Sequence, residues 1–394
     1  MNYEILQALQ LGIRHFVGQY MVLPKKELSP NDFKSTQSTW IQYSKQNPKS
    51  LPPGTVTDFQ WKDYCPAVFR HLQELGNIDY SDYMLSVCGH ETLMEISSPG
   101  KSGSLLFRSK DDRFVIKTLR QSEVKVLCEM LPNYLRHVEQ YGASLLIKLY
   151  GLHAVRPIGG LKVNVMKLNF FDAFTARVYF VVMENVLQSD LYIHRCYDLK
   201  GSSQGRTISK AEDHERATFK DLDLDFLFYL EPLTRHKLLA QIKNDCKFLE
   251  DQGIMDYSLL LGMHIKAQSQ GSNNTTRSDT VQGCNDSEWA PADICLIRNR
   301  PDAKFGVKMP ARAVRVRRNG KDDMALDQEV EGECCNVLLY FGIIDILQGY
   351  NMRKRIEHAC KAIQYDSVSI SAVSPKVYSA RFQDFLFKVF QEEL

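Results

Sequence analysis

Lys117, Asp256 and Asp345 are the residues of this sequence whose types and settings suit phosphate chemistry. Lys117 lies in the β-rich run Phe114-Val-Ile-Lys-Thr118, where Phe114, Ile116 and Thr118 share one face of a strand and Val115 and Lys117 share the other. That second face looks toward a cleft or toward water. Upstream, residues 97 to 104 form a loop of small residues, Ser-Ser-Pro-Gly-Lys-Ser-Gly-Ser, between two predicted strands. Its Gly-Lys-Ser triplet is not a Walker A loop, because Glu95 stands where that motif needs its first glycine. A flap whose backbone N–H groups cover phosphates, with a strand lysine reaching them, fits this arrangement; so does an ordinary hairpin beside a surface lysine.

Asp345 interrupts the otherwise apolar run from Asn336 to Leu347, predicted as a strand. A carboxylate there is costly unless it is paired or bound to metal, so it reads as a Mg²⁺ ligand or as the N-cap of the next element. Asp256, in Met-Asp-Tyr-Ser-Leu-Leu, leads into a second apolar strand and carries the same two readings. Two acids, a strand lysine and a glycine flap are the components of phosphoryl transfer, in which catalysis is mostly positioning and charge neutralisation. The His-Arg-Asp, Asp-Phe-Gly and Ala-Pro-Glu landmarks of protein kinases do not occur.

Several elements must hold these groups. Apolar spacing predicts helices over 5–18, 59–75 (stopped by Gly76-Asn77), 121–131 and 235–252, and Gly253 ends the last so that Asp256 falls on a loop. Residues 91–119 read as an antiparallel meander, Val178 to Val186 as a strand, and Phe382, Phe385, Leu386 and Val389 as a core-facing helical stripe. Residues 266–293 are too polar to order themselves. Lys304 to Arg318 holds six basic and no acidic residues, whereas Asn319 to Glu333 holds six acidic and one basic. The basic stretch reads equally as a membrane-seeking patch or as a solvated loop neutralised by the acids after it.

With 394 residues, 44% hydrophobic and 24% charged, the chain is long enough for a sizeable core and is neither disordered, collagenous nor coiled-coil throughout. A net charge of +2 gives no global reason to expect nucleic acid. The ten cysteines form neither a disulfide framework nor a zinc spacing, which points to a reducing compartment. No apolar run approaches the ~20 residues of a membrane span, and the first twenty residues lack signal-peptide features, so the expectation is a cytoplasmic protein structured from its start.

The segments SSPGKSGS (97–104), FVIKT (114–118), YDLKGSSQGR (197–206), IMDYSLLLGMH (254–264) and YFGIIDILQGY (340–350) resemble the phosphatidylinositol phosphate kinase family, in order and from about Tyr3 to the end. The likeness is greatest to the plant branch of phosphatidylinositol 4-phosphate 5-kinases, without the membrane-occupation repeats often found upstream, as if the catalytic domain stood alone. The resemblance implies an α+β, two-lobed, protein-kinase-like catalytic domain over 3–392, with an N-terminal lobe to about 185 and a C-terminal lobe from 186. It implies ATP and Mg²⁺. Lys117 would be the ATP-phosphate lysine and Gly100 and Gly103 the flap, while Asn185, Leu187, Leu260 and Ile344 would line the nucleotide site, the first two at the hinge beside adenine. Asp256 would orient the inositol hydroxyl, Asp345 would hold metal, and Lys200, with Asp198 beside it, would lie near the transferred phosphate. Glu123 would pair with Lys117 or sit on a solvated helix face, and no residue is assigned as second metal ligand.

Residues 351–381 would be the activation loop. Its Ile356-Glu357-His358 triplet favours a 5-kinase acting on the 4-phosphate lipid over a 4-kinase acting on the 5-phosphate lipid, and Arg353, Lys354, Arg355 and Lys361 would meet headgroup and membrane. The expected activity is that of a 1-phosphatidylinositol-4-phosphate 5-kinase, peripheral at an anionic surface such as the plasma membrane. The rivals are the 4-kinase and a catalytically silent phosphoinositide-binding scaffold. The oligomeric state is left open, a dimer being one form. One departure from the family is a fifteen-residue insertion, Val163 to Arg177, expected to be an apolar loop of splice or gene-model origin that folding tolerates.

Overall fold

Period-two runs of Val, Ile, Leu, Phe and Tyr build two seven-stranded sheets, in a computed structural model that describes residues 3–17, 27–34, 40–43, 58–89, 93–96, 104–158, 177–208, 217–266, 307–316, 330–350 and 373–393. The first sheet contains β1 (Ile41–Tyr43), β2 (Phe59–Asp63), β3 (Leu93–Ile96), β4 (Leu106–Ser109), β5 (Phe114–Leu119), β6 (Leu149–Pro157) and β7 (Val178–Glu184), in the order β1-β2-β6-β7-β5-β4-β3. Every pairing in it is antiparallel. The second contains β8 (Arg195–Leu199), β9 (Thr218–Phe219), β10 (Phe226–Leu230), β11 (Ser258–Ile265), β12 (Val307–Val316), β13 (Val330–Ile344) and β14 (Phe390–Glu392), in the order β14-β10-β12-β13-β11-β8-β9. Only its two outermost pairings are parallel.

The strand β7 reads as a nearly unbroken apolar run because both of its faces are buried. Val178, Phe180 and Val182 enter one core with Ile5, Leu9 and Ile13 of the N-terminal segment and Tyr83 and Val87 of a helix at Tyr80–Cys88. Tyr179 and Val181 enter a second core on the other face. That second core takes Val68, Phe69 and Leu72 from Pro66–Leu75 and Val124, Leu127, Leu131 and Tyr134 from a long helix, Gln121–Gln140, and it continues without a break into the second sheet. The helices Pro232–Asp251 and Pro375–Val389 cover the second sheet through Leu238, Ile242 and Leu249 and through Tyr378, Phe382 and Phe385. The chain is therefore α+β with two lobes sharing one core. Among the described residues no helix is long and apolar enough to cross a membrane.

Local expectations needed adjustment in four places. Residues 59–63 are a strand with alternating burial, and the helix starts only at Pro66, because Phe59-Gln-Trp-Lys-Asp63 has an apolar period of two and Pro66–Leu75 one of 3.6. The helix expected over 121–131 runs to Gln140, passing through Pro132. Most of the basic stretch is strand β12, not a loop; Arg315 pairs with Asp225 at 3.2 Å and Arg312 with Glu393 at 3.4 Å, so acids other than the run after it neutralise these two. The segment 351–381, expected as an activation loop, overlaps the last helix, since Ser374 and Pro375 begin that helix and residues 375–381 form its first turns. Residues 351–372, most of the polar 266–293 segment and residues 163–176 of the insertion lie outside the described residues; β6 and β7 on either side of that insertion are adjacent antiparallel strands.

One fully buried carboxylate joins the lobes. Asp245, on Pro232–Asp251, accepts from Ser144 Oγ (2.8 Å), the Leu145 N–H (2.7 Å) and Gln241 Nε2 (3.0 Å), and lies 2.6 Å from His137 Nε2 on the N-lobe helix. The segment 144–147 then bonds across to the second sheet, where Ile343 N–H donates to the Leu145 carbonyl and Ile147 N–H to the Ile343 carbonyl. Replacing Asp245 by Ala leaves buried donors without an acceptor, and we expect a loss of about 3 kcal/mol in urea unfolding. A loss below about 1 kcal/mol would show that the junction does not depend on this carboxylate.

Candidate active site

Strand register gathers the chemistry. In the antiparallel pairing of β11 with β13, Ser258, the first residue of β11, faces Ile344, the last of β13. In the pairing of β11 with β8, Leu259 faces Leu199, the last of β8. Asp256, Asp345 and Lys200 therefore leave three neighbouring strands at the same end of the sheet. Asp345 lies just past its strand, not within it as the apolar run suggested, and this resolves the cost of a carboxylate among Ile, Leu and Phe. Asp256 and Asp345 both adopt left-handed backbone, with φ of 65° and 60°. Such φ is uncommon outside glycine, and Asp is among the residues that tolerate it.

Two ion pairs stand in the cleft, and the first of them joins the two sheets. Lys117 Nζ, from the centre of β5, donates to Asp345 Oδ1 at 2.6 Å, and Lys200 Nζ donates to Asp256 Oδ1 at 2.9 Å and to the Asp256 carbonyl at 2.8 Å. Burial alone would lower the pKa of Lys117, but the Asp345 carboxylate outweighs it and the ammonium is held above its ordinary value. Burial would likewise raise that of Asp345, and Lys117 outweighs it and holds the carboxyl below the usual range. Lys200 is raised in the same way, burial being offset by Asp256, then Asp198, and more weakly by Asp345. The charges of Lys117, Asp345 and Lys200 are thus present at neutral pH, and Asp345, 41% exposed, remains reachable from the cleft.

The face of the sheet behind these pairs follows from the same register. Leu260 stands opposite Gly342 and Asp198, and Ser258 opposite Ile344, so Leu260, Ile344 and Asp198 share a face. The segment 185–188 lies against it: a Cβ on Gly342 would come within 2.7 Å of Val186, and one on Gly262 within 2.9 Å of Leu187. Those two glycines let the inter-lobe connection approach the sheet, and Leu187, Leu260 and Ile344 end up around one half-buried apolar surface. Asn185 lies at the hinge and is held there by its own hydrogen bonds. Its N–H donates to the Arg113 carbonyl, its amide nitrogen to the Asp112 carbonyl, and its Oδ1 accepts from Leu187 N–H, so it ties the β4–β5 turn to the hinge.

The model of a family described as phosphatidylinositol-4-phosphate 5-kinase matches residues 87–389. The chain belongs to the phosphatidylinositol-4-phosphate 5-kinase family. Phosphatidylinositol 4-phosphate 5-kinase 1 of Arabidopsis thaliana is 43% identical over all of this chain and 53% of its own length. Phosphatidylinositol 4-phosphate 5-kinase 9 of the same plant is 42% identical over 99% of the chain and 51% of its own length. The chain thus spans about half the length of these relatives, whereas phosphatidylinositol 4-phosphate 5-kinase 10 is 42% identical over 93% of the chain and 97% of its own length. The α+β, two-lobed, kinase-like fold expected from the motifs is the fold of this family member.

Of the sequence-derived site residues, Lys117, Asp345, Lys200, Asp256, Leu187, Leu260 and Ile344 meet in the cleft, and Asp198 shares their sheet face. Glu123 accepts from the Arg120 N–H at 2.7 Å, capping its helix, and acts on Lys117 only through space. Gly100, Gly103, Arg353, Lys354, Arg355, Glu357 and Lys361 lie outside the described residues. Sequence reading missed Arg206 and Asp221, which bind the Asp198-Leu-Lys-Gly201 corner. The signal available for Asp221 was an acid in Lys220-Asp-Leu-Asp-Leu224 among apolar strands. We expect Lys117→Met and Asp256→Asn each to lower phosphoryl transfer at least ~100-fold with circular dichroism matching the parent, since charge and not packing is removed. A variant keeping more than about a tenth of the parent rate, ~1.4 kcal/mol in barrier, would contradict its role.

Proposed function

We propose that this protein is a lipid kinase that transfers the γ-phosphoryl group of ATP to the 5-hydroxyl of phosphatidylinositol 4-phosphate, giving phosphatidylinositol 4,5-bisphosphate. The observation that carries this reading is the pairing of Lys117 with Asp345 and of Lys200 with Asp256 at one end of one sheet. The substrate comes from the relatives named above, each called a phosphatidylinositol 4-phosphate 5-kinase. Adenine would rest against Leu187, Leu260 and Ile344, and Gly100 and Gly103 would cover the phosphates. Lys117 would give up Asp345 for a phosphate oxygen, an exchange that keeps its charge compensated. Asp256 would accept from the attacking hydroxyl and align it, and Lys200 would neutralise charge on the oxygens of the group in transit.

Magnesium fits these residues. Asp345 offers a hard oxygen ligand at an open position. That suits an ion held by one or two carboxylates together with the nucleotide's own phosphates. Bound there, Mg²⁺ would supply charge neutralisation of the β- and γ-phosphates.

The lipid must be reached at a membrane surface. Arg353, Lys354, Arg355 and Lys361 are the groups proposed to meet the anionic headgroup, at about 1 kcal/mol for each basic residue near it. Glu357 among them would repel one phosphate position and admit the other. The decisive experiment presents labelled ATP with vesicles containing either phosphatidylinositol 4-phosphate or phosphatidylinositol 5-phosphate and determines which hydroxyl of the product is phosphorylated. We expect the 4-phosphate lipid to be preferred and the 5-hydroxyl to be labelled, with Glu357→Ala shifting the ratio toward the other lipid. Label on the 4-hydroxyl would make the protein a 4-kinase. No transfer at all would leave a binding scaffold.

A further inference from the structure

We infer that Asp221 and Arg206 form a buried clamp whose task is to aim Lys200 at the Asp256 carboxylate, so that both are positioning residues for transfer. The inference rests on the kinase reading of the cleft. Asp221 is fully buried, in a short turn at Asp221–Asp223 between β9 and β10, and lies 21 positions along the chain from Lys200. One of its oxygens accepts two backbone N–H groups, from Lys200 at 2.8 Å and from Gly201 at 2.6 Å. Its other oxygen accepts from Arg206 Nε at 2.6 Å. Arg206 in turn donates from Nη2 to the carbonyl of Asp198 and, at 3.1 Å, to its carboxylate.

The corner from Asp198 to Gly201 is thereby gripped on both sides of Lys200. Gly201 has φ of +69°, and a Cβ there would sit 3.0 Å from Phe385 and 3.2 Å from the Arg381 carbonyl, so the backbone turns left-handed against the last helix. A residue ending a strand would otherwise continue the strand direction. Bent this way, Lys200 bonds both the side chain and the carbonyl of Asp256. Arg206 is held in its charged form, burial being outweighed by Asp221 and then Asp198. A fully buried carboxylate is expensive unless it is paired and hydrogen-bonded, and this one commits its oxygens to the two N–H groups that set the direction of one side chain and to the guanidinium that fixes that corner. Displacements of about 1 Å at a catalytic group cost up to ~100-fold in rate, which is the scale at which such a clamp acts.

The test is a double-mutant cycle on the full chain, read by label transfer to phosphatidylinositol 4-phosphate vesicles. Asp221→Asn keeps size but presents an amide to donors; we expect kcat to fall at least ~10-fold with the KM for ATP unchanged, because Lys117 and the nucleotide surface are untouched. In a Lys200→Gln background the same substitution should add less than about twofold, since the clamp acts only through Lys200. A full multiplicative loss in that background, or a rise in the KM for ATP matching the fall in kcat, would make Asp221 a general structural residue and overturn the inference. If Asp221→Asn fails to fold, Arg206→Gln carries the same cycle with the same criteria. Lys200→Gln at the parent rate would sink the kinase reading itself; a slow Lys200→Gln beside a fully active Asp221→Asn would sink only the clamp.

Discussion

The register of β8, β11 and β13 is the constraint on which the site depends. Because the three strands are antiparallel neighbours, the end of β8, the start of β11 and the end of β13 coincide, and Lys200, Asp256 and Asp345 leave the sheet together. A slip of one residue would turn Leu260 and Ile344 away from the cleft and send Leu259 and Ile343, both fully buried, into it. The cores on either side oppose that slip. The candidate site is thus stabilised by the burial of residues outside the cleft, and the left-handed φ of the two acids is maintained by strands that over-determine where they end.

The second lobe-scale requirement is that Lys117, from the other sheet, arrive opposite Asp345. The long helix Gln121–Gln140, His137 near its end, buried Asp245 and the bonds between 145–147 and Ile343 set that distance. The link is polar and geometric within an apolar junction, which defines a position more sharply than packing alone. Gly262 and Gly342 have a related role, since any side chain there would push the hinge off the sheet.

Much of this was legible in the sequence. The alternation around Lys117, the helix stop before Asp256 and the lone acid after Phe341-Gly-Ile-Ile344 each announce a charged group at the border of a core, which is a local property. Asp345 was placed inside a strand because hydrophobicity marks burial and not where a ladder ends. The strand at 59–63 merged with the helix after it because both are half-buried and only two residues, Tyr64 and Cys65, separate them. The basic stretch around Arg312 and Arg315 looked available to a membrane because Asp225 and Glu393, their partners, lie some 80 to 90 positions away. Asp245 was silent for the same reason, and Asp221 offered only its apolar setting: the value of a buried carboxylate lies in donors brought to it from other segments. Asn185 carried a position without its contacts.

The most direct test of the site is a crystal structure of the protein with a non-hydrolysable ATP analogue and Mn²⁺ in place of Mg²⁺, the metal located by its anomalous signal. We expect metal on Asp345, the phosphates within hydrogen-bonding distance of Lys117 Nζ, and the base against Leu187, Leu260 and Ile344. Metal and phosphates bound away from Asp345 and Lys117, with that ion pair intact, would contradict this assignment of the cleft.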